Sequence, residues 1–301
     1  MALRTLPQDV LADILDIGLF SRPELCAISL ASPHLRYEAQ RRLFRDPGPH
    51  SIDLRDEPSA SLATTRTFLE TITASPDRLA QMVRRYRVTV LWFDFYVRFD
   101  SEKIQLQHTL FELLSRALPL MVNLIELLYR ERLQTSGHPV SEPPPSMWPV
   151  LQMCSFKLQI FWCSYIGTNS RNAVAEFLHI QNGIRVLWLC EAPQAHATNM
   201  ITLLRQVYSD MCPALVSLGG TLDVVASMLS GRQSLQHMSW DDTTYGPPVK
   251  YDGELFRSTN TSTVETLESL KNGPPLNLIC GNFENLVALK TCEFDLMQVC
   301  F

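Results

Sequence analysis

Apolar residues recur along this chain in two rhythms. From residue 5 to residue 44 they follow helical spacing, and beyond that strand-like runs alternate with helical ones. In the first stretch Pro7 pre-sets φ for a helix start, and Asp9 follows at the positive end of the helix dipole. Val10, Leu11, Ile14 and Leu15 then share one face, and Gly18 is a stop. Ser21 and Glu24 are spaced as a capping box that opens a second helix bearing Leu25, Ile28 and Leu30. Ser32-Pro33 opens a third, with Leu35, Ala39 and Leu43 inward. Three helices in about 40 residues bury too little surface to stand alone. Their apolar side chains need a cover, either a partner protein or the rest of the chain.

After Phe44 the pattern predicts a short strand over 51–54, a helix over 62–72, and another starting at Ser75-Pro76-Asp77 with Leu79, Met82 and Val83 inward. A β-branched and aromatic run predicts a strand over 88–96, apolar on both faces as far as Trp92 and so covered on both sides. A helix over 104–118 ends at Pro119, and the Pro-, Ser- and Gly-rich stretch 134–149 reads as a surface loop. A short motif then repeats: apolar, two variable, apolar, one variable, often apolar. It occurs at Leu124/Leu127/Tyr129, Ile184/Leu187/Leu189, Leu215/Leu218, Leu235/Met238/Trp240 and Leu286/Leu289. A weaker copy centres on Ile160, with Lys157 in place of the leading apolar residue. The central positions 127, 160, 187, 218, 238 and 289 are 33, 27, 31, 20 and 51 residues apart, and the last gap has room for two units. Helical stretches are predicted between them at 171–180, 200–208, 221–229 and 264–270. The expected class is α/β with a parallel strand ladder, divided into a helical segment, 1–47, and a larger domain, 48–301.

Composition narrows the functional classes. Lys and Arg number 26 against 31 Asp and Glu, a net charge of −5 that argues against a nucleic-acid binder. The basic cluster Arg84-Arg85-Tyr86-Arg87 reads as a solvated helix end. Asp9, Asp13 and Asp16 interrupt the first apolar stretch, so it is no signal peptide, and no run is long enough to span a bilayer. The eight cysteines form no C-x-x-C and no histidine pair has metal spacing, so neither metal nor cofactor is expected. Scattered cysteines of this kind are small buried hydrophobes in a reducing compartment, cytoplasmic or nuclear. The sequon Asn260-Thr261-Ser262 reads as a chance match. The chain ends at Cys300-Phe301 after a strand-like segment without a polar capping unit, as a piece of a longer product would.

The first stretch resembles the F-box, the helical motif that docks substrate adaptors on Skp1-type subunits of cullin-RING ubiquitin ligases. The likeness lies in Leu6-Pro7, Ile14-Leu15, the run Leu25/Ile28/Ser29/Leu30 and the closing Leu43-Phe44-Arg45, which is most like the fungal type. The chain has Leu35 where the family usually has an aromatic residue. The resemblance implies docking through Leu6, Pro7, Val10, Leu11, Ile14, Leu15, Leu25, Ile28, Leu30 and Leu35. From about 88 to 300 the strand-plus-helix unit resembles an irregular leucine-rich repeat, with Cys163, Cys190 and Cys292 near the usual cysteine position. That resemblance implies a stacked solenoid with helices on its convex side. An ordinary α/β domain is the other reading.

Solenoids bind partners on the strand surface, which nominates Glu126, Arg185, Trp188, Ser217, His237, Ser239 and Lys290 as recognition positions. Trp188 and His237 are the more interesting, since amphipathic aromatic groups dominate binding hot spots. Trp92, Trp162 and Trp240 are expected in the core, and Asp241-Asp242 as a turn cap. No G-x-S-x-G elbow, phosphate loop or G-x-G-x-x-G occurs, and no residue has a catalytic signature. Gly219-Gly220 reads as a tight turn rather than an anion cradle. The expected function is a non-catalytic adaptor of a Skp1-cullin-F-box ligase that holds an unknown protein substrate. The alternative is a repeat scaffold whose N-terminal helices only cap it.

Overall fold

The computed structural model describes residues 7–53, 60–93, 101–134, 146–166, 170–191, 211–229, 234–240, 263–269, 283 and 285–291. Nine strands lie side by side in chain order. They are β1 (Pro49–Ile52), β2 (Arg85–Phe93), β3 (Glu126–Gln134), β4 (Ile160–Ile166), β5 (Val186–Glu191), β6 (Ser217–Gly220), β7 (His237–Trp240), β8 (Thr266–Ser269) and β9 (Ala288–Thr291). The strands run parallel, so each connection must cross over and return; among the described residues helices lie in the connections from β1 to β5 and from β6 to β7. The class is α/β, as expected. The chain forms two compact units: Met1–Leu128 with Gln134–Pro143 and Met153–Lys157, and Tyr129–Leu133 with Pro144–Gln152 and Leu158–Phe301.

In the first unit α1 (Gln8–Ile17), α2 (Arg22–Ala31) and α3 (Pro33–Arg45) start where their sequence signals lie. The Glu24 carboxylate accepts the Ser21 backbone N–H and hydroxyl at 2.7 Å each, and the Ser32 hydroxyl accepts the Leu35 N–H at 3.4 Å. Leu15, Leu25, Ala39 and Leu43 form a core flanked by Phe20, Ile28, Leu35 and Phe44. Each fully buried leucine contributes about 1.5–3 kcal/mol. Asp16 joins α1 to α3 through Arg42 at 2.7 Å and Arg41 at 3.2 Å, and the Arg42 bond holds its carboxyl below the usual range.

Helix α4 (Ala60–Ala74) lays Phe68 on His50, ring centroids 4.4 Å apart, and on Tyr86 at 5.5 Å. A π-helical turn, Pro76–Ala80, follows where a helix start was predicted. The long α5 (Ser101–Ala117) tightens into a 3-10 turn, Leu118–Leu120, that includes Pro119. Trp92 is core, packed on Phe111 at 5.3 Å. Arg84 to Arg87 need correcting: they lead into and begin β2 rather than end a helix, and Tyr86 among them is fully buried. The end of that expected strand, 94–96, lies outside the described residues.

In the second unit α6 (Trp148–Gln152), α7 (Arg171–Ile180) and α8 (Leu222–Met228) back the strands. Phe161 packs on Phe177 at 5.1 Å and on Trp148 at 6.3 Å. Met147 and Trp148 are therefore buried, although 134–149 reads as loop in sequence. The helix predicted over 264–270 is strand β8. Val264 and Leu267 are three apart, a spacing that suits a helix and the repeat motif equally, and pairing with β7 decides it. The predicted helix 200–208 lies outside the described residues.

The repeat has a backbone signature. At each unit from β5 to β9, two consecutive N–H groups donate to one carbonyl of the preceding unit. Arg185 and Val186 donate to Gln159 O, Val216 and Ser217 to Arg185 O, Gln236 and His237 to Val216 O, and Glu265 and Thr266 to Gln236 O, all at 2.8–3.1 Å. The register aligns Phe161 with Leu187, Leu218, Met238, Leu267 and Leu289. The weak copy is therefore one residue out of frame. Its central residue is Phe161, not Ile160, and Leu158 supplies the missing leading apolar residue; both are buried. Leu267 supplies the unit that the long 51-residue gap had room for. Ile125 and Glu126 donate in the same way to Arg84 O, which makes Val83/Tyr86/Val88 an earlier copy of the motif.

Candidate interaction surfaces

Helix α1 is apolar on both sides. Leu11 and Leu15 face inward and are buried. Val10, Ile14 and Ile17, spaced by four and then three residues, are 37%, 45% and 81% exposed, and Leu19 and Leu30 are 100% and 79% exposed. These five side chains leave apolar area open on a small helical unit, and exposed apolar patches are a feature of interaction sites. Pro7 is also exposed. Leu11, Leu15 and Leu25 are buried, Leu15 and Leu25 within the core of the trio, so the exposed part of the expected contact set is Pro7, Val10, Ile14 and Leu30. Ile28 and Leu35 are half-buried beside that core. Leu6 lies outside the described residues. Ile17 and Leu19 were missed in sequence, although Ile17 continues the stripe of Val10 and Ile14 by one more turn.

A second surface lies on the strand face opposite the helices in the second unit. Trp162 and Trp188 are register partners on β4 and β5, with ring centroids 4.8 Å apart and an interplanar angle of 32°. Arg130 places its guanidinium 5.8 Å from the Trp162 ring, a cation–π contact. On the far side the Trp188 ring occupies the space above Gly219, where an added Cβ would lie 2.1 Å from it. The Trp188 indole N–H donates to the Cys190 sulfur at 3.1 Å. Both tryptophans are half-buried, so each keeps an accessible edge.

The other nominated residues are dispersed. His237 Nδ1 lies 2.6 Å from the Thr266 hydroxyl, Ser217 is the register partner of His237, and Ser239 that of Gly219. Glu126 pairs with Arg85 at 3.1 Å in the first unit. Arg185 is exposed one residue before β5. Lys290 lies in β9 and the side chains of Lys290 and Trp240 are outside the described residues, as are Asp241-Asp242 and the sequon. Trp162 is corrected from core to open face. Gly219 and Gly220 are strand residues rather than a turn, and Gly220 has φ +142° with its Cα hydrogen against Leu189 O.

Among the described residues no three His, Cys, Asp or Glu side chains are grouped to hold a metal. No described helix is long and apolar enough to cross a membrane. No protein-family model matches the chain, and no curated protein sequence matches it.

Proposed function

We propose that this chain is the substrate adaptor of a Skp1-cullin-F-box type ubiquitin ligase. The helical trio docks a Skp1-type subunit through Pro7, Val10, Ile14, Ile17, Leu19 and Leu30. The strand region is a leucine-rich-repeat-like solenoid, and its Arg130–Trp162–Trp188 face holds the target protein. Bond chemistry belongs to other subunits. The adaptor contributes proximity and orientation. One observation supports this above the rest: an apolar stripe on α1 that stays exposed although the trio has its own core. Nine strands in strict chain order support the stacked-repeat part of the reading.

A second reading, a scaffold whose helices only cap it, is favoured by the ties from α3 to later residues. The Arg78 guanidinium donates to Gln40 Oε1 at 3.1 Å, and the Arg87 guanidinium pairs with Asp46 just past α3 at 2.9 Å. Pull-down with a purified Skp1-type subunit separates the two. The adaptor reading expects capture by the wild-type chain and none by Val10→Glu/Ile14→Glu. Absence of capture by the folded wild-type chain leaves the cap.

A further inference from the structure

A cavity of about 560 Å³ in the first unit is lined by four arginines, Arg41, Arg45, Arg78 and Arg84, with Asp77 as the only acidic residue among the described residues that line it. The charge is concentrated against the trend of a chain whose net charge is −5. Three separate elements deliver it: α3 gives Arg41 and Arg45, the π-helical turn gives Asp77 and Arg78, and the residue before β2 gives Arg84. Arg41 is offset by Glu38 and Asp16. The other three have no carboxylate partner among the described residues. Arg78 donates to the neutral Gln40 side chain, and Arg84 donates to the Asn123 main-chain carbonyl at 3.2 Å.

Arg45, in the last turn of α3, also complements the helix dipole, which explains one arginine but not three converging from different elements. Arg41 and Arg45 are four apart on α3 and so lie on one face of that helix. Guanidinium forks match phosphate oxygens in geometry as well as charge. The volume falls within the range of small-molecule sites, which run from about 300 to 1,000 Å³.

We propose that this cleft binds a small free ligand bearing two or more phosphate groups. Such a ligand would bridge α3 to the starts of β2 and β3, and so stiffen the helical trio against the first strands. The inference is independent of the docking stripe, since none of the cavity-lining residues belongs to α1 or α2.

Titration calorimetry of the full chain with tripolyphosphate tests it, with orthophosphate, a phosphoserine peptide and phosphatidylserine vesicles as further arms. The proposal expects micromolar affinity for tripolyphosphate, at least tenfold weaker for orthophosphate. It expects about a tenfold loss in Arg78→Gln and again in Arg45→Gln, whose side chain makes no described bond that folding would miss. Absence of tripolyphosphate binding, unchanged affinity in both variants, or tighter binding of the peptide or the vesicles would overturn it.

Discussion

Gly220 is the residue where backbone geometry leaves least choice. Its φ of +142° is closed to side chains, and a Cβ would lie 1.7 Å from Leu189 O. Gly220→Ala should cost on the order of 3 kcal/mol or more, measured by urea unfolding. At Gly219 the nearest atoms to an added Cβ are those of the Trp188 side chain rather than backbone, so Gly219→Ala should cost less, and its readout is a shift in tryptophan emission. His50 is buried between aromatic rings, and burial, with the nearby Arg22 charge, pushes its pKa down to about 4 from 6.5. The unfolded chain therefore takes up a proton as pH falls through 6.5 while the folded chain does not until about 4. Stability is full above pH 6.5 and is lost on acidification through that window. Wild type should lose about 2 kcal/mol more than His50→Phe between about pH 7 and pH 5. Equal losses would remove His50 from the account. Among the thiols, burial pushes Cys154 up to about 12 and raises Cys163 well above its ordinary value, whereas Cys26 is exposed. Iodoacetamide at neutral pH should label Cys26 in the native chain and reach Cys154 and Cys163 only after unfolding, as peptide mapping would show.

At the scale of elements, the helical trio was the most legible part of the sequence. Its starts were written in Pro7, the Ser21/Glu24 box and Ser32-Pro33, local signals that act within one turn. What no local signal carried was which side of α1 the fold would use. Val10, Leu11, Ile14 and Leu15 make one broad apolar face in sequence, and only packing against α3 divides it into a buried half and an exposed half. The strands were legible by motif but not by frame. Taking Ile160 as central put Trp162 two residues on, in the core; the register with β5 makes Phe161 central and turns Trp162 to the open face. One residue of slip thus hid half of the Trp162–Trp188 pair. A test at this scale is Leu15→Ala, which should cost about 2–5 kcal/mol through the cavity it leaves in the trio. Ile17→Ala, 81% exposed, should be nearly neutral for stability.

At the scale of the whole molecule, a parallel α/β chain with repeating units was readable from periodicity, because each strand pairs with its successor and the motif needs no long-range information. The arginine-lined cavity was not readable, since its residues are brought together from α3, the π-helical turn and the segment before β2. The central claim is that the exposed stripe on α1 docks a Skp1-type subunit. Calorimetric titration of the purified full chain with that subunit tests it most directly, beside a Val10→Glu/Ile14→Glu chain shown by circular dichroism and urea unfolding to be as well folded. The account predicts sub-micromolar affinity for the wild type and at least a hundredfold loss in the double variant, because two carboxylates would have to enter an apolar contact. Undetectable binding by the wild-type chain, or equal affinity of the two, would contradict it.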